Sequence, residues 1–167
     1  HLQEQEKKFR EMVESIPAVA FVTDADGRRA FWNRRWVEYT GLPVEQSLGE
    51  GWQQAVHPDE LTRVLDKWRT AVATAEPLEY EARARGSDGL YRWFQVRATP
   101  LRDQSGKVTK WCGVATDIQD RKRADELQSE LAHIDRVTML GEMAAAISHE
   151  LKQPLTASLI NAQTSLR

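Results

Sequence analysis

The chain has 167 residues, 41% of them apolar and 29% charged, with a formal net charge of −2. This is length enough for one domain with a core and a remainder, and its interspersed charges offer no basic field, so no nucleic-acid partner is expected. A lone cysteine, Cys112, excludes an internal disulfide and fits a reducing, cytoplasmic setting, and the longest apolar run, about six residues near 17–22, falls far short of the roughly 20 needed to cross a bilayer.

Residues 2–15 are charged and helix-favouring, with Leu2, Phe9, Met12, Val13 and Ile16 as apolar points, which predicts a short amphipathic helix ended by Pro17. Residues 19–23 and 29–32 read as two strands joined by the tight turn Asp24-Ala25-Asp26-Gly27. A short helix over 33–40 stops at Gly41. Residues 42–54, broken by Pro43, Gly49 and Gly51, predict only helical turns. His57-Pro58-Asp59-Glu60 opens a helix, since Pro suits its first position and acids suit the positive end of its dipole. Leu61, Val64, Leu65, Trp68 and Val72 give that helix one packing face. Three strands follow, over 78–85, 91–99 and 108–116, with turns at 87–89 and 103–106. The order predicts an α+β fold, one five-stranded antiparallel sheet with helices on one side.

After Asp117 the pattern changes. Leu127, Leu131, Ile134, Val137, Leu140, Ala144, Ile147, Leu151 and Leu155 recur at a mean of 3.5 residues, the period of a coiled coil or helical bundle. Such a seam must be buried, so a homodimer through this helix is expected, with a further helix downstream. Residue 1 is His rather than Met, and 157–167 reads as helix with no stop signal. Both ends are therefore expected to be cuts in a longer chain, and membrane attachment outside this segment stays open.

The first part resembles the PAS superfamily, through Asp24 and Gly27, Asn33, Tyr39-Thr40-Gly41, Gly51-Trp52, Val56-His57-Pro58-Asp59, Asp88-Gly89 with Tyr91-Arg92-Trp93-Phe94, Pro100-Leu101-Arg102-Asp103, Trp111-Cys112-Gly113 and Thr116-Asp117-Ile118. The second part is similar to the dimerisation and phosphoacceptor segment of histidine kinases. It runs from Met139-Leu140-Gly141-Glu142 through Ser148-His149-Glu150-Leu151-Lys152-Gln153-Pro154-Leu155-Thr156. The resemblance implies a piece of a two-component sensor kinase. A PAS domain over 17–118 follows an N-terminal helix over 1–16; a coiled-coil linker over 119–138 leads to the phosphotransfer helix over 139–167. It implies ATP and Mg2+ on a domain absent from this chain, no cofactor within the fragment, an unknown PAS ligand, and a response regulator as partner. The fragment alone is expected to be inactive.

His149 also carries an argument of its own. It lies two residues from the seam positions Ile147 and Leu151, about 200° round the helix from each, and so points away from the seam. A neutral imidazole nitrogen can attack a γ-phosphoryl group, a reaction made mainly of positioning and charge stabilisation. Glu150 is the candidate to hold the other ring nitrogen and fix the tautomer. Gln153 lies one turn on, on the same face. In the resembling kinases that position often carries Thr or Asn and serves phosphatase chemistry, so Gln departs from the pattern. Pro154 removes a hydrogen bond to the Glu150 carbonyl and is expected to bend the helix. The bland alternative is a solvated surface histidine.

Other residues invite functional readings. His57 could serve as a haem ligand, a family use, or as a helix cap. Cys112 could be a flavin-adduct cysteine, but the Asn-Cys-Arg-Phe helix of light sensors with this fold is absent, so a small core residue is the plainer reading. His133 reads as a solvated position. No metal site is expected. The six tryptophans read mostly as core, and a ligand pocket between sheet and helices is compatible with them. Other classes of answer are a non-catalytic PAS dimerisation module feeding another effector, and a haem- or flavin-bound sensor.

Overall fold

A computed structural model of the chain describes residues 2–164; His1 and residues 165–167, with the end of the predicted C-terminal helix, lie outside the described residues. In order the elements are α1 (Leu2–Glu14), β1 (Val19–Asp24), β2 (Arg29–Trp32), α2 (Arg34–Thr40), α3 (Val44–Ser47), a 3-10 turn (Gly51–Ala55) and α4 (Pro58–Thr74). Then come β3 (Leu78–Arg85), β4 (Tyr91–Arg102), β5 (Val108–Asp117) and α5 (Gln119–Thr164). The five strands form one antiparallel sheet in the order β2-β1-β5-β4-β3. The expected α+β sheet with its long C-terminal helix is thus the observed one. The chain divides into two units, His1–Lys122 and Arg123–Arg167.

Strand alternation sorts the sheet into two faces. Val19, Phe21, Tyr80, Ala82, Val96, Ala98 and Trp111 point into the main core, where they meet Trp32, Trp36, Trp52, Val64 and Trp68 from the helical side. The intervening positions of β1, Ala20 and Val22, are apolar as well. They form a second cluster with Val13, and with Phe9, Ile16, Phe31 and Val114 around it. So α2 to α4 lie on one face as expected, while α1 covers the other, because β1 is apolar on both sides. The buried Asn33 joins the layers: its Oδ1 accepts from the Ala20 N–H at 3.0 Å, and its Nδ2 donates to the carbonyls of Ala18 at 2.8 Å and Val13 at 3.4 Å.

Local signals explain most boundaries. Gly41, at φ +70°, closes α2, its N–H donating to the Val37 carbonyl. His57 caps α4, its Nδ1 accepting from the Asp59 N–H at 3.2 Å. Helix α4 ends on Ala75 at φ +54°, a left-handed conformation no glycine announces; Arg102 Nη2 donates to its carbonyl at 2.7 Å. β4 runs three residues past the predicted end at Thr99. β3 reaches only to Leu78 opposite Ala98, so Pro100 has a β5 partner and no β3 neighbour to deprive of a donor.

Gly113 on β5 shows how closely the layers approach. A Cβ there would sit 2.2, 2.5 and 2.8 Å from atoms of the Phe21 ring, itself 1% exposed in the core. Overpacking a filled core costs typically 1–3 kcal/mol and occasionally more. Gly113→Ala is expected to lose at least about 3 kcal/mol of unfolding free energy. Urea denaturation followed by tryptophan fluorescence measures it; a midpoint within error of the unmodified chain contradicts this packing.

Candidate functional site

In the unit Arg123–Arg167, α5 carries His149, Glu150 and Gln153 and continues as α-helix through Pro154. The Gln153 Nε2 lies 3.2 Å from His149 Nε2. An amide nitrogen can donate but not accept. As a hydrogen bond, the contact therefore makes His149 Nε2 the acceptor and leaves the ring proton on Nδ1. Both residues are exposed. Among the described residues Glu150 makes no hydrogen bond or ion pair with His149. The large seam residues from Leu127 to Leu155 are 51–66% exposed in the single chain.

In the unit His1–Lys122, the first turn of α5 is tied to the sheet. Ile118 is buried, and its N–H donates to the Trp93 carbonyl at 2.9 Å. Gln119 Oε1 accepts from the Trp93 N–H at 3.0 Å. Glu81 on β3 pairs with Arg121 at 2.6 Å and with Lys122, and the Lys122 ammonium lies 4.8 Å from the Trp93 ring centroid. These hydrogen bonds from Lys122 and Arg121 hold the Glu81 carboxyl below the usual carboxylate range.

Behind the sheet, a partly open cavity of about 50 Å³ lies among Val19, Phe21, Arg29, Trp52, Tyr80 and Val96. Arg29 is 3% exposed. Its guanidinium carbon lies 4.1 Å from the Phe21 ring centroid, 4.3 Å from Trp52 and 4.4 Å from Trp68. Its hydrogen bond runs from Nη1 to the Gly27 carbonyl at 3.0 Å, while Nε is buried with no partner. Burial pushes its pKa down to about 10, the Tyr80 hydroxyl opposing, so the group stays cationic at neutral pH. Nothing in the sequence singled out Arg29. It opens a strand of four residues, where alternation is too short to show which face an arginine takes.

A second inward charge is paired. Glu60 is 7% exposed, and its Oε2 accepts from Arg83 Nε at 3.0 Å and from the Arg83 N–H at 3.2 Å. His57, Asp59 and Glu60 bring potential ligand atoms within 4.8 Å of one another, but the Arg83 guanidinium holds both carboxylates. Arg83 hydrogen bonds keep the Glu60 carboxyl below its ordinary range against the pull of burial. A depressed carboxylate stabilises the fold above its unfolded pKa, about 4.3, and loses that contribution as pH falls through the folded value. Glu60→Gln is therefore expected to lose about 1–3 kcal/mol at pH 7, with the gap to the unmodified chain closing below about pH 4. Urea titrations at both pH values check the sign; a gap that widens in acid contradicts it.

The PAS fold family matches this sequence over residues 29–115, from the first residue of β2 to near the end of β5. The chain belongs to the PAS family. The matched range holds Arg29 and most of the cavity wall, the rest of which comes from Val19 and Phe21 on β1. The C4-dicarboxylate transport sensor protein DctS of Rhodobacter capsulatus is 34% identical over 154 residues, 89% of this chain and 23% of that protein. The peroxide stress-activated histidine kinase mak1 of Schizosaccharomyces pombe is 33% identical over 123 residues, 72% of this chain and 7% of that protein. The chain thus spans under a quarter of these relatives' lengths. Among solved structures, an RNA-binding light-oxygen-voltage receptor has the same fold, with a TM-score of 0.63, 21% identity, and 77% of this chain against 37% of that one.

The residues of this PAS domain do not fit a flavin or haem. Pockets for drug-sized ligands run roughly 300–1,000 Å³, against about 50 Å³ here. Cys112 pairs with Val22, a residue of the α1-side cluster, so its half-buried thiol lies on the sheet face away from the cavity. Burial pushes that thiol's pKa up, the opposite of what a reactive thiolate needs. The His57 ring caps α4 and packs edge-on against Tyr91 at 4.6 Å. Five of the six tryptophans are buried, as expected; Trp93 is half-buried at the α5 junction. No helix among the described residues is long and apolar enough to cross a membrane.

Proposed function

We propose that this chain is the sensory and phosphoacceptor part of a two-component sensor histidine kinase. Its PAS domain controls, through α5, the phosphorylation of His149 and the passage of that phosphoryl group to a response-regulator aspartate. The observation that carries the reading is the placement of His149, Glu150 and Pro154 on one 46-residue helix whose first turn is bonded to the PAS sheet. Relatives named as a sensor and a histidine kinase support it.

In this reading ATP and Mg2+ sit on a separate catalytic domain of the parent protein. A neutral His149 with its proton on Nδ1 would present the Nε2 lone pair, and the Gln153 amide would hold that nitrogen until its bond to the γ-phosphorus forms as the bond to the β-phosphate oxygen breaks and ADP leaves. Glu150, the neighbouring acid, swings to the Nδ1 proton and steadies the imidazolium that forms. Gln153, rather than Thr or Asn, leaves any phosphatase role a separate question. The apolar seam pairs with a second copy, which brings two His149 helices together. We place the PAS core at 17–118, the linker at 119–138 and the phosphotransfer helix from 139 onward, in a protein acting at the cytoplasmic side.

The test is incubation of the chain with Mg-ATP and a separate histidine-kinase catalytic domain, followed by mapping of acid-labile phosphate. Label on His149 supports the reading; label elsewhere, or none, overturns it. The chain alone is expected to incorporate nothing.

A further inference from the structure

A buried charge is ordinarily paired, since the effective cost of taking an ion out of water is several kcal/mol. Glu60 obeys the rule with Arg83. Arg29 does not: among the described residues it has no carboxylate partner, a single hydrogen bond to a carbonyl, and an unsatisfied Nε. Three aromatic faces stabilise the cation, but a ring face takes no N–H in the guanidinium plane. The same side chain forms part of the wall of the cavity behind the sheet. Nearby, the Tyr80 hydroxyl accepts from Trp68 Nε1 at 3.2 Å, which leaves its own proton free to donate.

We propose that this cavity binds a short-chain monocarboxylate whose carboxylate pairs with Arg29 and accepts from the Tyr80 hydroxyl. The inference deepens the sensory reading by naming a ligand class for the PAS domain. It rests on that reading only for its signalling consequence. Charge, size and lining each point to the class. The unpaired cation is single, so the occupant carries one negative charge. The cavity of about 50 Å³, far below the roughly 300–1,000 Å³ of pockets for drug-sized ligands, admits only a small molecule. Arg83 also lines the cavity but is already paired with Asp59 and Glu60, and the apolar side chains of Val19, Val96 and Phe21 suit a methyl group and give a bare water cluster few partners. Guanidinium forks match the two coplanar oxygens of a carboxylate.

The position explains how such an occupant is felt elsewhere. Arg29 begins β2 and exchanges backbone hydrogen bonds with Gly49, at 3.1 and 2.8 Å, just before the 3-10 turn that carries Trp52. Trp52 is also a wall of an open groove between the β1–β2 turn and α4. Its indole therefore stands between the cavity and solvent, and its fluorescence reports occupancy.

The experiment is a tryptophan-fluorescence titration of the unmodified chain, without ATP, using sodium acetate. Acetamide serves as the neutral isostere, sodium nitrate as a planar anion without the methyl, and sodium chloride as the ionic-strength control. A saturable change with acetate, absent with acetamide and chloride and at least tenfold weaker with nitrate, is the expected result. Arg29→Met keeps an apolar, polarizable side chain among the rings; it should retain the far-UV circular dichroism of the unmodified chain and bind acetate at least tenfold more weakly. The proposal is overturned if acetamide acts like acetate, if nitrate binds as tightly, if the acetate response fails to saturate, or if folded Arg29→Met keeps its affinity. Should Arg29→Met not fold, the acetate–acetamide comparison alone decides. Because no nucleotide is present, failure here leaves the His149 reading standing, and failure there leaves this one standing.

Discussion

His149→Gln is expected to abolish phosphate incorporation from Mg-ATP when the chain is supplied with a histidine-kinase catalytic domain. Gln keeps the length and polarity of the position but has no ring nitrogen lone pair to form a P–N bond. The reaction is dominated by positioning and charge stabilisation, so no neighbouring group can substitute. His133, also exposed on α5, lies sixteen residues away, about 24 Å along the axis. Glu150→Gln should leave the helix intact and slow the reaction by roughly 10²- to 10⁴-fold, as loss of an acid–base or orienting group does. Replacing His57 or His133 should change incorporation little. Acid-labile, base-stable label in the His149 variant, or label mapping to His133, defeats the assignment.

In the proposed function, a PAS signal would pass to that histidine through the junction at the start of α5. Trp93 bonds through its backbone to Ile118 and Gln119, and its ring lies beneath the Lys122 ammonium. The partner of Trp93 across the ladder is Arg83, which also holds Glu60 at the start of α4. One continuous set of contacts thus joins the capped helix α4, the β3–β4 pair and the first turn of α5. Spatial continuity alone does not make an allosteric device; two arrangements of this set, each favoured by a different cavity state, would. The part-exposed Glu81 pairs are weak individually and screened by salt. The buried Ile118 and the backbone bonds give the junction its geometry.

Sequence reasoning reached the sheet and its helices because their signals are local. Asp24 to Gly27 makes a turn in whatever context it folds, and His57-Pro58 opens a helix on its own chemistry. It also reached most of the tryptophans, Trp111 among them, as core residues, since a large aromatic ring on a strand has few other places to go. It did not reach Arg29, whose burial is decided by Phe21, Trp52 and Trp68, each from a different element. Nor did it reach the second face of β1: that Ala20 and Val22 are covered by α1 depends on the path of residues 14–18, and Asn33 fixes that path through the carbonyls of Val13 and Ala18. Ala75 escaped for a related reason. Its left-handed φ follows from where β3 must begin and from the Arg102 bond, both non-local.

The seam yields the second large effect. Replacing Leu131 and Ile134 together by Lys is expected to convert a dimer into a monomer. In a single chain Leu131 is 62% exposed and Ile134 51%, and the apolar stripe of which they are part continues at the same spacing to Leu155. A stripe of that length left in water is costly at about 25 cal/mol per Å² of apolar surface, whereas pairing with a second copy buries both stripes at once. A symmetric pair of double variants would place four ammonium groups in the interface. The effective penalty is several kcal/mol for each ion not paired, and each 1.4 kcal/mol is about tenfold in affinity. Even with lysine stems reaching back to solvent, the dissociation constant should rise by more than about 1,000-fold. The PAS domain should be untouched, since neither residue lies in the unit His1–Lys122; its thermal transition serves as the control. Multi-angle light scattering at about 50 µM, a concentration at which interfaces with dissociation constants near 1 µM stay associated, should give twice the chain mass for the unmodified protein and one chain mass for the variant. An unmodified chain that runs as a monomer there removes the pairing from the proposal, and a variant that still dimerises moves the interface off this stripe.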